Sequence, residues 1–330
     1  MSSIPIIAIS VGDPNGIGVE VILKTFEDKS LIKRCIPVVY ANLDFLQSQQ
    51  KLYGTKVDIA SLKGSPIKET LNVKSIWKIA PKVRFGEQTS DAGAAAFESL
   101  KAAAFAVKKK NADVLVTAPI NKASIKSSSF PFAGHTHYLG SIWGGNALMI
   151  LTHKHLRVAL LTDHIPISDV TGFIKSELIQ KKTLQLKRAL IADFDCKAPK
   201  IAILGLDPHG GDLGIIGTTD ESELKPAIKK LIDQKVNITG PFSADSFFGH
   251  RLYSNFDAVL SCYHDQGLVG FKTLTFGEGI NVTAGLPFVR TSPDHGTAFD
   301  IAGKGIANHK SFKAAVHEAC NIYKNRERTI

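Results

Sequence analysis

The feature that most limits the possible folds is a repeated pattern: a short apolar run ends in a glycine or polar turn, and helical periodicity follows. Ile4–Val11 is the first such run; it ends in Gly12-Asp13-Pro14-Asn15-Gly16-Ile17-Gly18, and Val19–Phe26 opens a helix. Further apolar runs stand at Val38–Tyr40, Val114–Thr117, Leu148–Leu151, Val158–Leu161, Lys200–Gly205 and Ala258–Cys262. Helical periodicity occupies the stretch from Asp91, read as its cap, to about Lys110, the stretch from Ser168 or Ser176 to Ala192, then Glu221–Gln234 and Ser311–Asn325. Strands that alternate with helices predict an α/β fold with mostly parallel sheets in two connected lobes. Residues 54–80 give no clear pattern, and Phe130–Gly145, rich in glycine and histidine, reads as irregular.

Composition narrows the function classes. The chain has 330 residues, 44% hydrophobic and 21% charged, so it can bury a core and is not of the disordered class. The apolar start is short and has no leading basic cluster, so it does not read as a signal peptide. No apolar run approaches the length of a membrane span. Cys35, Cys196, Cys262 and Cys320 are far apart and form no CxxC pair, which favours reduced thiols and a cytoplasmic location. The net charge of +10 is spread over helical lysines without interleaved aromatics, which argues against nucleic acid and for small anionic metabolites.

Chemistry concentrates after the run Ala258–Cys262, in Tyr263-His264-Asp265-Gln266-Gly267, and continues through Lys272, Asn281 and Arg290. Ligands in open α/β sheets bind beyond the carboxyl ends of strands. His164, His209 and His264 each follow an apolar run and each has a carboxylate nearby: Asp163, Asp207 or Asp212, and Asp265. Three neutral imidazoles suit one divalent cation with an open position, and the carboxylates suit ring orientation. Taken singly, a histidine in such a place is more often structural or on the surface than a ligand. His135 and Thr136 offer hydrogen bonds from a loop, and a polar surface loop is the alternative. Lys272 and Arg290 suit a phosphate. Asp245 and Asp265 are candidate acid/base groups, with helix capping the alternative for Asp245.

Several blocks carry a resemblance across nearly the whole chain. They are Gly12-Asp13-Pro14 with Gly16-Ile17-Gly18, Thr117-Ala118-Pro119-Ile120-Asn121-Lys122, Gly134-His135-Thr136, Tyr263-His264-Asp265-Gln266-Gly267, Gly285 to Ser292, and Asp294-His295-Gly296-Thr297-Ala298. Together they resemble the 4-hydroxythreonine-4-phosphate dehydrogenase family of pyridoxal phosphate biosynthesis. His295–Asn308 is also similar to the adenine-side NAD loop of isocitrate and isopropylmalate dehydrogenases, although the chain has no GxGxxG fingerprint.

The resemblance implies a two-lobed α/β/α fold of the isocitrate/isopropylmalate dehydrogenase type, with the active site between the lobes. One lobe would hold 1–128 and 270–330 with the NAD loop, the other 129–269 with the metal ligands and dimer interface. It implies His164, His209 and His264 as ligands of one divalent ion (zinc, magnesium or cobalt), with both subunits of a homodimer contributing. It implies His135, Thr136, Lys272, Asn281 and Arg290 at the substrate, and His295, Gly296, Thr297, Asp300 and Asn308 at NAD or NADP. Asp245, Asp265 and Lys272 form the catalytic set. The implied reaction oxidises 4-phosphooxy-L-threonine and decarboxylates it to 3-amino-2-oxopropyl phosphate. A dehydrogenase of threonate or erythronate 4-phosphate is the near alternative; a metal-dependent hydrolase or lyase without redox chemistry, or a non-catalytic binding protein, is the distant one. The chain departs from the family at Gly210-Gly211-Asp212, where Ala-Gly-Glu is more frequent, at Asn15 and Val19, where Ala and Pro are usual, and at His137, where an acidic residue is common.

Overall fold

A computed structural model describes residues 4–126, 130–132 and 134–329. In chain order the strands are β1 (Ile6–Ser10), β2 (Ile36–Ala41), β3 (Ile59–Ser61), β4 (Leu71–Ser75), β5 (Val114–Thr117), β6 (Leu148–His153), β7 (Leu156–Leu160), β8 (Ile201–Leu204), β9 (Ile238–Phe242), β10 (Ala258–Ser261), β11 (Ile280–Ala284) and β12 (Val289–Pro293). They belong to two compact units, Met1–Ala147 with Leu286–Arg328, and Leu148–Gly285.

In the first unit the strand order is β3-β4-β2-β1-β5-β12, and every adjacent pair is parallel. The buried strands read as continuous apolar runs because helices cover both faces of such a sheet. Parallel strands put their carboxyl ends on one edge. There the turn after β1 meets the loop after β5: Asp13 N–H donates to Pro119 O at 2.9 Å. Gly12 is required at this meeting. Its φ is +70°, and an added Cβ would overlap Pro119 O. The loop after β12 joins them, with Ile17 N–H donating to Thr297 O at 3.0 Å.

The helix Ser90–Lys108 lies over β1, β2 and β5 through Ala96, Leu100, Ala103 and Val107. Its cap is Thr89, whose hydroxyl accepts from Ala92 N–H at 3.3 Å; the expected cap, Asp91, sits in the first turn instead. A carboxylate there still complements the positive end of the helix. The unpatterned stretch 54–80 holds β3 and β4 at the sheet edge. Phe130–Gly145, expected to be irregular, contains the helix His135–Trp143. Tyr138, Leu139 and Trp143 bury its apolar side, and Trp143 Nε1–H donates to Ala104 O at 3.1 Å.

In the second unit the order is β11-β6-β7-β10-β8-β9. β6 and β7 form an antiparallel hairpin and β11 is antiparallel to β6, while β7, β10, β8 and β9 run parallel. Phe247 and Phe271 fill the core over β7, β8 and β10. The longer helices here are Ser176–Ala192, Lys225–Asp233, preceded by a π turn, and His264–Thr275.

The units divide at 147/148 and 285/286, later in the chain than the boundaries read from sequence. The expected 128/129 boundary falls within residues 127–129, outside the described residues. The helix His135–Trp143 packs in the first core, and β11 continues the second sheet, so both belong beyond the expected points.

Candidate functional site

The second unit places His164 after β7, His209 after β8 and His264 after β10. Because β7, β10 and β8 are adjacent and parallel, all three histidines leave the same edge. Two cross-links lock the loops together. Thr162 donates to Cys262 O through its amide at 3.2 Å and its hydroxyl at 2.7 Å. Gln266 accepts from Cys262 N–H at 2.7 Å and donates to Gly205 O at 2.6 Å. Gln266 stood inside a quoted motif, but nothing in the sequence marked it as the tie between two histidine loops.

His164 and His264 stand together, with ring centroids 5.7 Å apart. His264 Nδ1 lies 2.6 Å from Asp265 Oδ1, and His164 Nδ1 lies 3.8 Å from Asp163 Oδ1. Asp163 also accepts the His164 amide at 2.6 Å. The His164 side chain, ahead of the opposing effect of burial, holds the Asp163 carboxyl well below its usual range. A neutral His264 that donates Nδ1–H to Asp265 has Nε2 left as a metal donor, the arrangement in which an outer carboxylate fixes the tautomer. The pair lines a cavity of about 600 Å³ that also takes in Tyr263 and the apolar Ile165, Ile167 and Val170.

His209 lines a second cavity of about 480 Å³ with Asp207, Asp245 and Gln266. Tyr263 and Asp265 line both cavities. Among the described residues no three His, Cys, Asp or Glu side chains are gathered as one metal centre. The chain therefore brings two of the three expected histidines together, while His209 lines a separate cavity that shares Tyr263 and Asp265 with theirs. The donor chemistry of the His164–His264 pair, two imidazoles each beside a carboxylate, fits a divalent ion of the zinc or cobalt type. Asp245 is in the first turn of the helix Ala244–Gly249 and accepts from Ser243 Oγ–H at 2.8 Å. That bond, with His209 as a lesser cause, holds its carboxyl below the usual range.

Lys272 lies on the helix His264–Thr275, two turns after Asp265 and on the same exposed face. Asn281 is in β11, and its Oδ1 is buried without a hydrogen bond.

The first unit supplies a buried cation. Arg290, in β12, is 3% exposed, and its Nε and Nη2 donate to Thr117 Oγ1 at 3.2 and 2.7 Å. Burial pushes the guanidinium below its ordinary value, yet arginine remains charged at neutral pH. His135 opens the helix His135–Trp143, and its buried Nε2 has no hydrogen-bond partner. Burial, then the charge of Arg290, pushes His135 well below its ordinary value, so the imidazole is neutral. Thr136 follows in the same first turn, where helix amides lack intrahelical acceptors and favour anions. Arginine, a neutral histidine and a helix N-terminus have the chemistry that suits a phosphate or carboxylate.

The segment 295–308 has turns of its own, with Ile301 N–H donating to Ala298 O at 3.1 Å and Lys304 N–H to Ile301 O at 3.2 Å, and the helix Gly18–Phe26 holds its end. Lys24 Nζ donates to Gly305 O at 2.9 Å and Ala307 O at 3.1 Å, and Glu20 Oε1 accepts Ala307 N–H at 2.7 Å. Gly16 leaves room for Thr297, whose backbone O would stand 2.8 Å from a Cβ there. His295 Nδ1 is 3.0 Å from Gly296 O. Asn308 accepts from Lys310 N–H at 2.9 Å and so begins the last helix, while Asp300 is exposed. Glu20 and Lys24 carried no functional signal in the sequence; their roles exist only where residues more than 280 apart meet.

A family described as pyridoxal phosphate biosynthetic protein PdxA matches residues 33–319. The 4-hydroxythreonine-4-phosphate dehydrogenase of Bacteroides thetaiotaomicron is 42% identical over 326 residues, 98% of this chain and 90% of that one. A candidate D-threonate 4-phosphate dehydrogenase of Oceanobacillus iheyensis is 33% identical and covers 98% of this chain and 99% of its own. The crystal structure of 4-hydroxythreonine-4-phosphate dehydrogenase from Klebsiella pneumoniae superposes with a TM-score of 0.84 at 30% identity, covering 98% and 99% of the two chains. Isocitrate dehydrogenase from Methylococcus capsulatus shares the fold at a TM-score of 0.52 and 12% identity, covering 98% of this chain and 88% of that one. With the family matched over most of its length, the chain belongs to the pyridoxal phosphate biosynthetic protein PdxA family.

Proposed function

We propose that this protein oxidises 4-phosphooxy-L-threonine with NAD and decarboxylates the product to 3-amino-2-oxopropyl phosphate. The observation that carries the reading is the buried Arg290 guanidinium, fixed by Thr117 beside a neutral His135, in a chain 42% identical to a dehydrogenase named for a phosphorylated hydroxy amino acid.

The residues divide the work as follows. Arg290, His135, Thr136, Lys272 and Asn281 hold the phosphate and carboxylate. His164 and His264, with His209 as the third donor, hold one divalent ion: zinc, magnesium or cobalt. Asp265 fixes the His264 tautomer, and Asp245, Asp265 and Lys272 serve the proton transfers and the substrate amine. His295, Gly296, Thr297, Asp300 and Asn308 belong to the dinucleotide segment. When bound, the dinucleotide accepts a hydride from the hydroxyl-bearing carbon, and the cation polarises the oxygen on that carbon. The substrate hydroxyl loses its proton to a base, giving a β-keto acid. Its carboxylate leaves as CO2, the bonding electrons pass to the ketone oxygen, and an acid protonates the α carbon. A neutral His135 receives the anion without adding a second charge to the Arg290 pocket.

We propose that the protein acts as a cytoplasmic homodimer. In support, the surface of the second unit exposes large apolar side chains near the histidine cavities, with Leu213 88%, Ile215 82% and Ile167 69% exposed. Among the described residues no helix is long and apolar enough to cross a membrane.

A second reading, a D-threonate 4-phosphate dehydrogenase, is favoured by the 33% identical Oceanobacillus relative. That substrate has a hydroxyl where 4-phosphooxy-L-threonine has an amine. Steady-state NADH formation from each substrate separates the two. Equal or greater kcat/KM with threonate 4-phosphate would overturn the first assignment.

A further inference from the structure

The loop that carries His209 leaves β8 at Leu206 and returns at Thr219, and its two ends are joined by a reciprocal pair of bonds. Asp220 Oδ1 accepts Leu206 N–H at 2.8 Å, and Asp207 Oδ2 accepts Thr219 N–H at 2.9 Å. Each carboxylate stands on one end of the loop and reaches the backbone of the other. Asp220 is fully buried, and its second oxygen has no hydrogen-bond partner. Two glycines make room for the pair. A Cβ at Gly205 would stand 2.8 Å from Asp220 Oδ2, and one at Gly217 would overlap the Asp207 carboxylate.

What the pair encloses is strained. His209, Gly210, Gly211, Asp212 and Leu213 all have left-handed backbones, with φ of 54°, 66°, 82°, 43° and 56°. Three of the five are not glycine, and L-residues do not hold such a run unless the surroundings impose it. Inside the loop, Ile216 N–H and Gly217 N–H both donate to Gly211 O, at 3.1 and 3.4 Å. Leu213 and Ile215 contribute little packing, since both are largely exposed. Within one protomer, the bonds that join the two ends of the loop are those of Asp220 and Asp207 at its base. A buried acid with an unmatched oxygen is also a costly way to hold a surface loop for stability alone.

We propose that Asp220 and Asp207 are positioning residues, a carboxylate clamp at the base of the 206–219 loop that sets where His209 stands. The inference deepens the reading of His209 as a metal donor and rests on it wherever metal affinity is the readout.

The test uses the full-length protein with Co2+ as the probe, in calorimetric titration, and amide hydrogen exchange over residues 205–219. Asp220→Ala removes the acceptor for Leu206. Asp220→Asn keeps an oxygen that can accept the same amide. Thr219→Pro removes the donor to Asp207 at a residue whose φ of −65° suits proline. Asp220→Ala and Thr219→Pro should exchange faster over 206–211 and bind Co2+ about 10- to 100-fold more weakly, the usual effect of losing an outer-shell partner. Asp220→Asn should restore slow exchange and bring the affinity to within about threefold of the parent, and the KM for NAD should stay constant in all three. Adding His209→Ala to Asp220→Ala should cost less Co2+ affinity than His209→Ala costs in the parent, because the two sites are coupled. Parental exchange in Asp220→Ala and Thr219→Pro overturns the clamp. If Asp220→Ala does not fold, Thr219→Pro decides by the same exchange. If His209→Ala alone binds Co2+ as the parent does, the metal reading fails instead, and exchange over 206–211 still decides the clamp.

Discussion

Arg290 and Thr117, 173 residues apart, meet through one oxygen: Nε and Nη2 of the guanidinium both donate to the threonine hydroxyl, at 3.2 and 2.7 Å. The register of adjacent parallel strands produces this. β12 pairs with β5 so that Arg290 aligns with Leu115, two residues before Thr117. The arginine thus reaches forward to the end of its neighbour and presents a fixed cation there.

Removing that hydroxyl should loosen the cation. For Thr117→Val we expect KM for the phosphorylated substrate to rise about tenfold with a smaller change in kcat. The expected stability loss is about 1–3 kcal/mol, from a buried donor losing its acceptor. Steady-state kinetics and denaturant unfolding measure the two effects. An unchanged KM would contradict the anchoring role.

His135 gives a pH dependence with a definite sign. Burial and the nearby Arg290 charge lower it from the ordinary 6.5. Between the lowered value and 6.5, the unfolded chain binds more protons at this position than the folded one. Its contribution to stability is therefore complete above pH 6.5 and is lost as the pH falls toward the folded value. His135→Gln should flatten the stability curve on that acid side, by up to about 1.4 kcal/mol per pH unit. Urea unfolding of both proteins across the acid range measures it. Parallel curves would contradict a neutral, buried imidazole.

Asp265 orients His264 through a 2.6 Å contact. Asp265→Ala should weaken Co2+ binding about 10- to 100-fold, while His264→Ala should weaken it further. Calorimetric titration distinguishes the two. Parental affinity in both variants would remove His264 from the metal site.

Asn15 ties the turn after β1 to the stretch 84–89. Its Oδ1 accepts Arg84 N–H at 2.7 Å, and its Nδ2 donates to Glu87 O at 2.9 Å and Thr89 Oγ1 at 3.1 Å. Asn15→Ala should cost roughly 1–2 kcal/mol, because three part-buried hydrogen bonds to the 84–89 stretch are lost at once. Denaturant unfolding checks this; a loss below about 0.5 kcal/mol, the scatter of neutral surface changes, would show that other groups take over those bonds.

The parts legible in the sequence are local ones. The opening strand, glycine turn and helix stand where periodicity puts them, and the three histidines do follow strands β7, β8 and β10. The helix His135–Trp143 was hidden because its nine residues mix glycine and histidine with the apolar Tyr138, Leu139 and Trp143. Thr89 and Asp91 both suit the cap position by residue type, and only the backbone distinguishes them. The short edge strand β3 and its neighbour β4 are partly exposed and so lack an apolar run. What sequence withheld most fully is pairing at a distance: Arg290 with Thr117, Lys24 with the 305–307 backbone, and Asp220 with Leu206. Each depends on which loops the sheet brings side by side, and composition near either partner does not encode that.

The measurement that bears most directly on the central claim is the joint yield of NADH and CO2 from 4-phosphooxy-L-threonine, taken with divalent metal and again after chelation. The account predicts one CO2 for each NADH with metal present, and loss of both on chelation with recovery when Zn2+, Mg2+ or Co2+ is returned. Product formation without NADH, or turnover indifferent to chelation, would contradict it.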